Sequence, residues 1–157
     1  HSNFEQATRS PMIISAPGVE SNIKVDSPTE FVDLFPTLTD LSNIETPQSL
    51  DGKSLVPVMN GDKERVKDFA ISQYRRGKHR MGYALRNDRY RYVEWHKNDY
   101  RSYKPYKNRN IVARELYDYK KDPLESINVV ESEDYQDTAK KLKKQLKDFL
   151  TEKSPKN

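Results

Sequence analysis

The sequence predicts an α/β remnant over residues 1–67, followed over residues 68–157 by an α+β module in which a small antiparallel sheet packs on a C-terminal helix. Three observations lead there. Up to about residue 62, short apolar runs alternate with turns and with one stretch of helical spacing. From Phe69 the apolar period shortens to two, and near the end it returns to three and four with lysines filling the remaining arc. The chain has 157 residues, of which only 34% are apolar. That is well under the roughly 45–50% of an average globular domain, so a large self-sufficient core is not expected.

Met12-Ile13-Ile14-Ser15-Ala16 is an apolar run closed by Pro17-Gly18 and is expected to be a buried strand ending in a turn. Ser27-Pro28-Thr29-Glu30 combines an N-cap serine, proline at the first helical position and glutamate at the third, the pattern of a capping box. A helix should begin there, along which Phe31, Leu34, Phe35, Leu38 and Leu41 recur at spacings of three and four, with Pro36 kinking or splitting it. Residues 47–61 are turn-rich and expected to be irregular.

Residues 69–71 suggest one strand. Met81-Gly82-Tyr83-Ala84-Leu85-Arg86 and Arg89-Tyr90-Arg91-Tyr92-Val93-Glu94-Trp95 flank Asn87-Asp88 as the arms of a hairpin. In the second arm Tyr90, Tyr92 and Glu94 alternate with Arg89, Arg91, Val93 and Trp95, so one face is not cleanly apolar, and a thin sheet covered on one side is expected. Residues 96–113 lack a period and suggest a long loop, with Glu115-Leu116-Tyr117-Asp118 as a further short strand. Ala139, Leu142, Leu146, Phe149 and Leu150 then mark one stripe of a helix over about 137–152, and residues 154–157 are expected to be a frayed end.

The formal charge of +4 conceals a strong asymmetry. Residues 1–62 hold 3 basic and 9 acidic side chains, residues 63–121 hold 18 and 7, and residues 122–157 hold 7 and 8. Nine of the ten tyrosines also fall in the basic middle. Cations interleaved with aromatic rings suit a polyanion, either nucleic acid or a sulfated or carboxylated glycan. A strand-rich module that carries Lys and Arg outward for solubility fits equally well.

Several chemistries are excluded. The absence of cysteine removes thiol nucleophiles, disulfides and Cys-ligated metals. There is no G-x-S-x-G, P-loop, H-E-x-x-H or G-x-G-x-x-G pattern. His1, His79 and His96 are too dispersed to suggest a local metal site, and a lone surface histidine is ordinarily solvated. No apolar run approaches the roughly 18 residues of a membrane span, and residues 1–5 lack the basic and apolar regions of a signal peptide. A soluble chain with no readable address is expected, and taken alone it looks catalytically empty.

Five motifs stand in order along nearly the whole chain. The first is His1-Ser2-Asn3-Phe4-Glu5-Gln6-Ala7-Thr8-Arg9-Ser10-Pro11-Met12-Ile13-Ile14 with Ala16-Pro17-Gly18, and the second is Phe31-Val32-Asp33-Leu34-Phe35-Pro36-Thr37-Leu38. Next come Leu50-Asp51-Gly52-Lys53-Ser54-Leu55-Val56-Pro57 and the hairpin from Met81 to Trp95. The last is Glu115-Leu116-Tyr117-Asp118 with Asp122-Pro123-Leu124-Glu125-Ser126-Ile127-Asn128. Together they resemble the C-terminal part of the sulfatases of the alkaline-phosphatase-like superfamily, and the first and fourth are most similar to the iduronate-2-sulfatase branch.

The resemblance implies hydrolysis of sulfate esters by a formylglycine, made from Cys or Ser within [CS]-x-P-x-R, beside a calcium ion held by Asp and Asn or His. This sequence departs from that pattern. It has no Cys, its nearest match Ser15-Ala16-Pro17-Gly18-Val19 ends without arginine, and it contains no Asp-His or Asp-Asn pair. The family's metal ligands and sulfate-contacting lysine lie just upstream of the segment that begins here at His1. The chain is therefore expected to be the C-terminal fragment or chain of a sulfatase, inactive alone, with calcium and formylglycine supplied by the upstream catalytic portion as its partner. Residues 12–16 would form one edge of a larger sheet.

Within this resemblance, Arg75, Arg76, Lys78, His79 and Arg80, together with His1, are expected to contact sulfate or uronate groups of a bound saccharide. Glu5 and Arg9 lie near the site in the family. Their spacing also allows an i,i+4 ion pair that fixes the turn before the strand, and the structural role is the one expected. Periplasmic or extracellular residence follows only from the resemblance, with no membrane partner. Two alternatives remain open. One is a basic, Tyr-rich nucleic-acid-binding module, which lacks any RNP, KH or zinc-finger signature and leaves the ordered motifs without a role. The other is a purely structural chain closing a catalytic domain through its last helix.

Overall fold

In the computed structural model, which describes residues 2–46, 49–97 and 106–153, the first helical motif is organised by its polar side. The chain forms two compact units, Ser10–Ala70 and a second made of His1–Arg9 with Ile71–Asn157.

In the first unit, a 3-10 turn at Phe31–Asp33 leads into α2, Leu34–Leu41, which follows α1, the short helix Glu5–Thr8 of the other unit. The capping box is three residues later than expected. Glu30 is the cap, and its N–H donates to Asp33 Oδ2 at 2.8 Å while the Glu30 side chain accepts from the Asp33 N–H. Pro36 lies in the first turn of α2, where its missing N–H would have had no helical partner.

Asp33 is fully buried. Its carboxylate also accepts from Lys53 N at 2.9 Å and from Lys67 Nζ at 2.7 Å, and Thr37 Oγ1 accepts from Leu55 N at 2.9 Å. The D-G turn is thus pinned to the start of the helix. Gly52 is required there because a Cβ would stand 1.9 Å from the Val32 carbonyl oxygen.

The apolar stripe faces outward within this unit. Phe31, Phe35 and Leu38 are exposed, whereas Asp33, Pro36 and Thr37 are buried. Residues 12–16 do not form a strand, because every strand of the sheet comes after residue 69, and Ile13 is 94% exposed. The turn-rich region contains a short helix, α3, at Val56–Met59, which buries Val58 next to buried Leu55. Pro47 and Gln48 lie outside the described residues.

The second unit is α+β. Strands β1 (Ala70–Arg76), β2 (Arg80–Arg86), β3 (Tyr90–Lys97) and β4 (Ile111–Asp118) form one antiparallel sheet in chain order. In the central pairing, Tyr83 faces Glu94 and Leu85 faces Tyr92, while Leu116 faces Tyr92 from the other side. Helix α4, Gln136–Glu152, buries Leu142 and Leu146 and packs against β2 and β3.

The sheet is covered on both faces. On one, Tyr135 just before α4 sits edge-on to Tyr90 and donates to Asp118 at 2.9 Å. On the other, Ala84, Val93 and Trp95 form an apolar cluster joined by Tyr74, and the Phe4 ring lies 5.9 Å from that of Tyr117. This explains why β3 shows no apolar alternation: all six residues from Arg91 to His96 are buried.

The expected loop over 96–113 is shorter than anticipated among the described residues. A 3-10 turn occupies Asn108–Asn110 and β4 begins at Ile111; residues 98–105 lie outside the described set, as do 154–157.

Candidate functional site

The β1–β2 hairpin gathers most of the expected anion-binding residues. Arg75 and Arg76 are the last residues of β1, Lys78 and His79 lie in the turn, and Arg80 opens β2; all five are exposed. The two arginines are therefore strand residues and not part of a loop after a strand ending at residue 71, because β1 is an edge strand whose polar outer positions hide its length. Arg75 Nε donates to the Gly77 carbonyl at 2.7 Å, and the Arg76 guanidinium lies 5.1 Å from the Trp95 ring centroid. Trp95 is itself held by its Nε1 donating to Glu115 at 2.7 Å. The hairpin thus presents a compact set of cations on a braced sheet, with guanidinium forks suited to sulfate or carboxylate. His1 lies outside the described residues.

Glu5 does not pair with Arg9. Its carboxylate accepts from Arg86 Nε at 2.9 Å and Nη2 at 3.2 Å, and from Tyr119 OH at 3.2 Å, while Arg9 is exposed beyond α1. Burial works to raise the Glu5 carboxyl, but the hydrogen bond and charge of Arg86, the Tyr119 hydrogen bond and, least, the Arg9 charge outweigh it and hold the carboxyl below its usual range. The spacing of four misled because α1 is only one turn long and its glutamate turns toward the sheet.

Beside Glu5 lies an ion pair that the local pattern did not reveal. Arg91 and Glu125, 34 residues apart and both buried, bond through Nε and Oε1. The Arg91 guanidinium lies against the rings of both Phe4 and Tyr117, 4.6 and 4.9 Å from their centroids, and also donates to the Asn3 carbonyl. The second Glu125 oxygen accepts from Glu5 N at 2.9 Å.

Asn3 completes the clamp by donating to the Gly82 carbonyl at 3.2 Å and accepting from Ser72 Oγ at 3.2 Å. A Cβ at Gly82 would stand 2.7 Å from the Trp95 ring and 2.9 Å from Asn3 Nδ2, so the glycine is what admits this segment to the sheet. The S-N-F-E, M-G-Y-x-x-R and D-P-x-E motifs, separated in sequence, are therefore one polar network in space.

A third cluster centres on Glu94, which is fully buried on β3. It accepts from Tyr92 OH at 2.9 Å and Tyr106 OH at 3.3 Å, and its other oxygen lies 2.9 Å from His96 Nε2. Burial, reinforced by the Glu94 charge, raises both tyrosine hydroxyls, which therefore stay protonated donors. His96 is 3% exposed and flanked edge-on by Tyr83 and Tyr106, which corrects its expected place as a solvated surface histidine. Among the described residues, no group of three or more His, Asp or Glu side chains is arranged to hold a metal ion.

Comparison with known proteins gives a consistent result. Residues 2–152 match the family model described as N-sulphoglucosamine sulphohydrolase, C-terminal. A sulfatase of Formosa agariphila is 29% identical over 128 residues, covering 82% of this chain and 22% of that protein. A Δ4,5-hexuronate-2-O-sulfatase of Bacteroides thetaiotaomicron is 28% identical over 157 residues, covering 94% of this chain and 30% of the relative. Among solved structures, a 2-O GAG sulfatase superposes with a TM-score of 0.61 at 29% identity, covering 76% of this chain and 24% of that one. The chain thus spans between a fifth and a third of the length of these relatives.

Proposed function

Because the chain belongs to the family of sulfatase C-terminal domains typified by N-sulphoglucosamine sulphohydrolase, we propose that it forms the C-terminal part of an enzyme that hydrolyses sulfate esters of a sulfated glycan. The observation that carries this is the match over residues 2–152, whose motifs converge on one buried network. Relatives named for hexuronate 2-O-sulfate and for 2-O GAG sulfate point to a uronate-containing substrate. Periplasmic or extracellular residence belongs to the same proposal; among the described residues no helix is long and apolar enough to cross a membrane.

The residues of this chain do not fit the formylglycine or the calcium. There is no cysteine, Ser15-Ala16-Pro17-Gly18-Val19 lacks the arginine of the modified motif, and no metal-holding cluster occurs among the described residues. Both groups are therefore assigned to an upstream catalytic portion with which this chain would be joined, and the part played by this chain is binding and support. The exposed apolar side of α2 supports that partnership, since side chains of this size at helical spacing ordinarily face another element.

In this arrangement the chain contributes two things. The clamp of Asn3, Glu5, Arg86, Arg91 and Glu125 fixes its first residues against the sheet. The cations of the β1–β2 hairpin bind sulfate or carboxylate groups of the saccharide beyond the ester being cleaved. Charge reversal at Arg75 and Arg76 in the full-length enzyme is expected to raise KM for a sulfated oligosaccharide several-fold more than for a small aryl sulfate. An equal effect on both substrates would overturn the subsite assignment.

A further inference from the structure

Helix α4 carries Lys140, Lys141, Lys143, Lys144 and Lys147 within eight residues, on the arc left by the buried Leu142 and Leu146. Lys140, Lys144 and Lys147 follow one line along the axis at spacings of four and three, spanning about 10 Å at 1.5 Å per residue. The arrangement is poor for the helix itself. Five lysine pairs stand at i,i+3 or i,i+4, where like charges repel. Only two ion pairs oppose them among the described residues, Lys140 with Asp137 at 3.2 Å and Lys144 with Asp148 at 2.6 Å. A face built for solubility alone would intersperse the signs. Here the two aspartates only flank the run: residues 140–147 carry five lysines and no acid, with side chains at 140 and 144 that are 73% and 78% exposed.

We infer that the lysine face of α4 is a second polyanion-binding surface, outside the hairpin subsites, which holds a sulfated glycan chain along its length. The ligand class rests on the sulfated-glycan reading above. Lysine suits this use: its ammonium is a point charge that accepts sulfates from many directions, so the surface retains a polymer without selecting one sugar. Counterion release from the polyanion supplies the affinity and makes it steeply salt-dependent, and repulsion among the lysines becomes attraction once sulfates lie between them.

The test is binding of this chain to heparin, measured by elution salt and by titration at several salt concentrations. Lys140→Gln/Lys144→Gln/Lys147→Gln keeps helix-forming residues, and is expected to weaken binding at least tenfold and reduce the log–log salt slope by about three. Asp137→Asn/Asp148→Asn releases two lysines and is expected to tighten binding, a gain that misfolding cannot imitate. The proposal is overturned if both variants elute with the wild type, or if single-stranded DNA or phosphatidylserine vesicles bind as tightly as heparin through the same lysines. Turnover is not read, so the outcome is separable from the hairpin assignment. If the hairpin arginines fail their KM test while the lysine variant still loses heparin, the α4 surface stands.

Discussion

Asp118, at the end of β4, illustrates how a single buried carboxylate ties elements together. It takes both Nε and Nη2 of Arg89, at 2.9 and 2.7 Å, together with Tyr135 OH and the backbone N–H of Lys120. The Arg89 hydrogen bonds are the main reason that its carboxyl falls from the usual 3.8 to about 2, against the opposing effect of burial. A depressed carboxyl stabilises the fold fully above the unfolded value and loses that contribution as pH falls through the folded one. Asp118→Asn should therefore cost about 1–2 kcal/mol at neutral pH, and the gap from wild type should close between about pH 4 and pH 2. Urea unfolding of both proteins across that range measures it; a gap that stays constant to pH 2 would mean that the charge is not what Asp118 contributes.

At the scale of elements, Asn128 does the work of a missing strand. Its Oδ1 accepts from Leu116 N at 2.9 Å, its Nδ2 donates to the Arg114 carbonyl at 3.1 Å, and Val129 N then reaches the Leu116 carbonyl at 2.9 Å, so the outer edge of β4 is closed. Asn128→Ala should cost about 1–3 kcal/mol and speed amide exchange at Leu116 while leaving the β2–β3 amides protected. Equal acceleration across the sheet would count against an edge role.

The same scale explains what was legible in the sequence. Helix α4 and the β2–β3 hairpin were readable because period and punctuation agree, with a stripe from Ala139 to Leu150 and Asn87-Asp88 between two strands. The ends of β1 and β4 were not, because edge strands carry outward polar residues without breaking the strand. The coverage of the sheet was missed because β3 buries Arg91 and Glu94 on opposite faces, which no alternation rule reports. The hairpin cations of the candidate site stood out as a local string. Arg91 with Glu125 and Glu5 with Arg86 did not, since an ion pair closing 34 or 81 residues leaves no local spacing to detect.

At the scale of the whole molecule, the low apolar fraction and the burial of the first unit concern the same fact. Within Ser10–Ala70, Leu55 and Val58 are the buried apolar core named among the described residues, while Phe31, Phe35, Leu38 and Ile44 are more than half exposed. Asp33, Thr37, Lys53 and Lys67 hold this unit together through hydrogen bonds, so removing exposed apolar side chains should scarcely affect it. Phe35→Ser/Leu38→Ser is therefore expected to change the stability of this chain by no more than about 0.5 kcal/mol per site and to reduce its self-association in light scattering. In the full-length enzyme the same pair should lower Tm by several degrees, because there the face would lie against the catalytic portion. The contrast between the two contexts is the decisive measurement. If the pair unfolds the isolated chain, the face belongs to this unit's own core; if it leaves the full-length enzyme unchanged, the catalytic portion does not cover it.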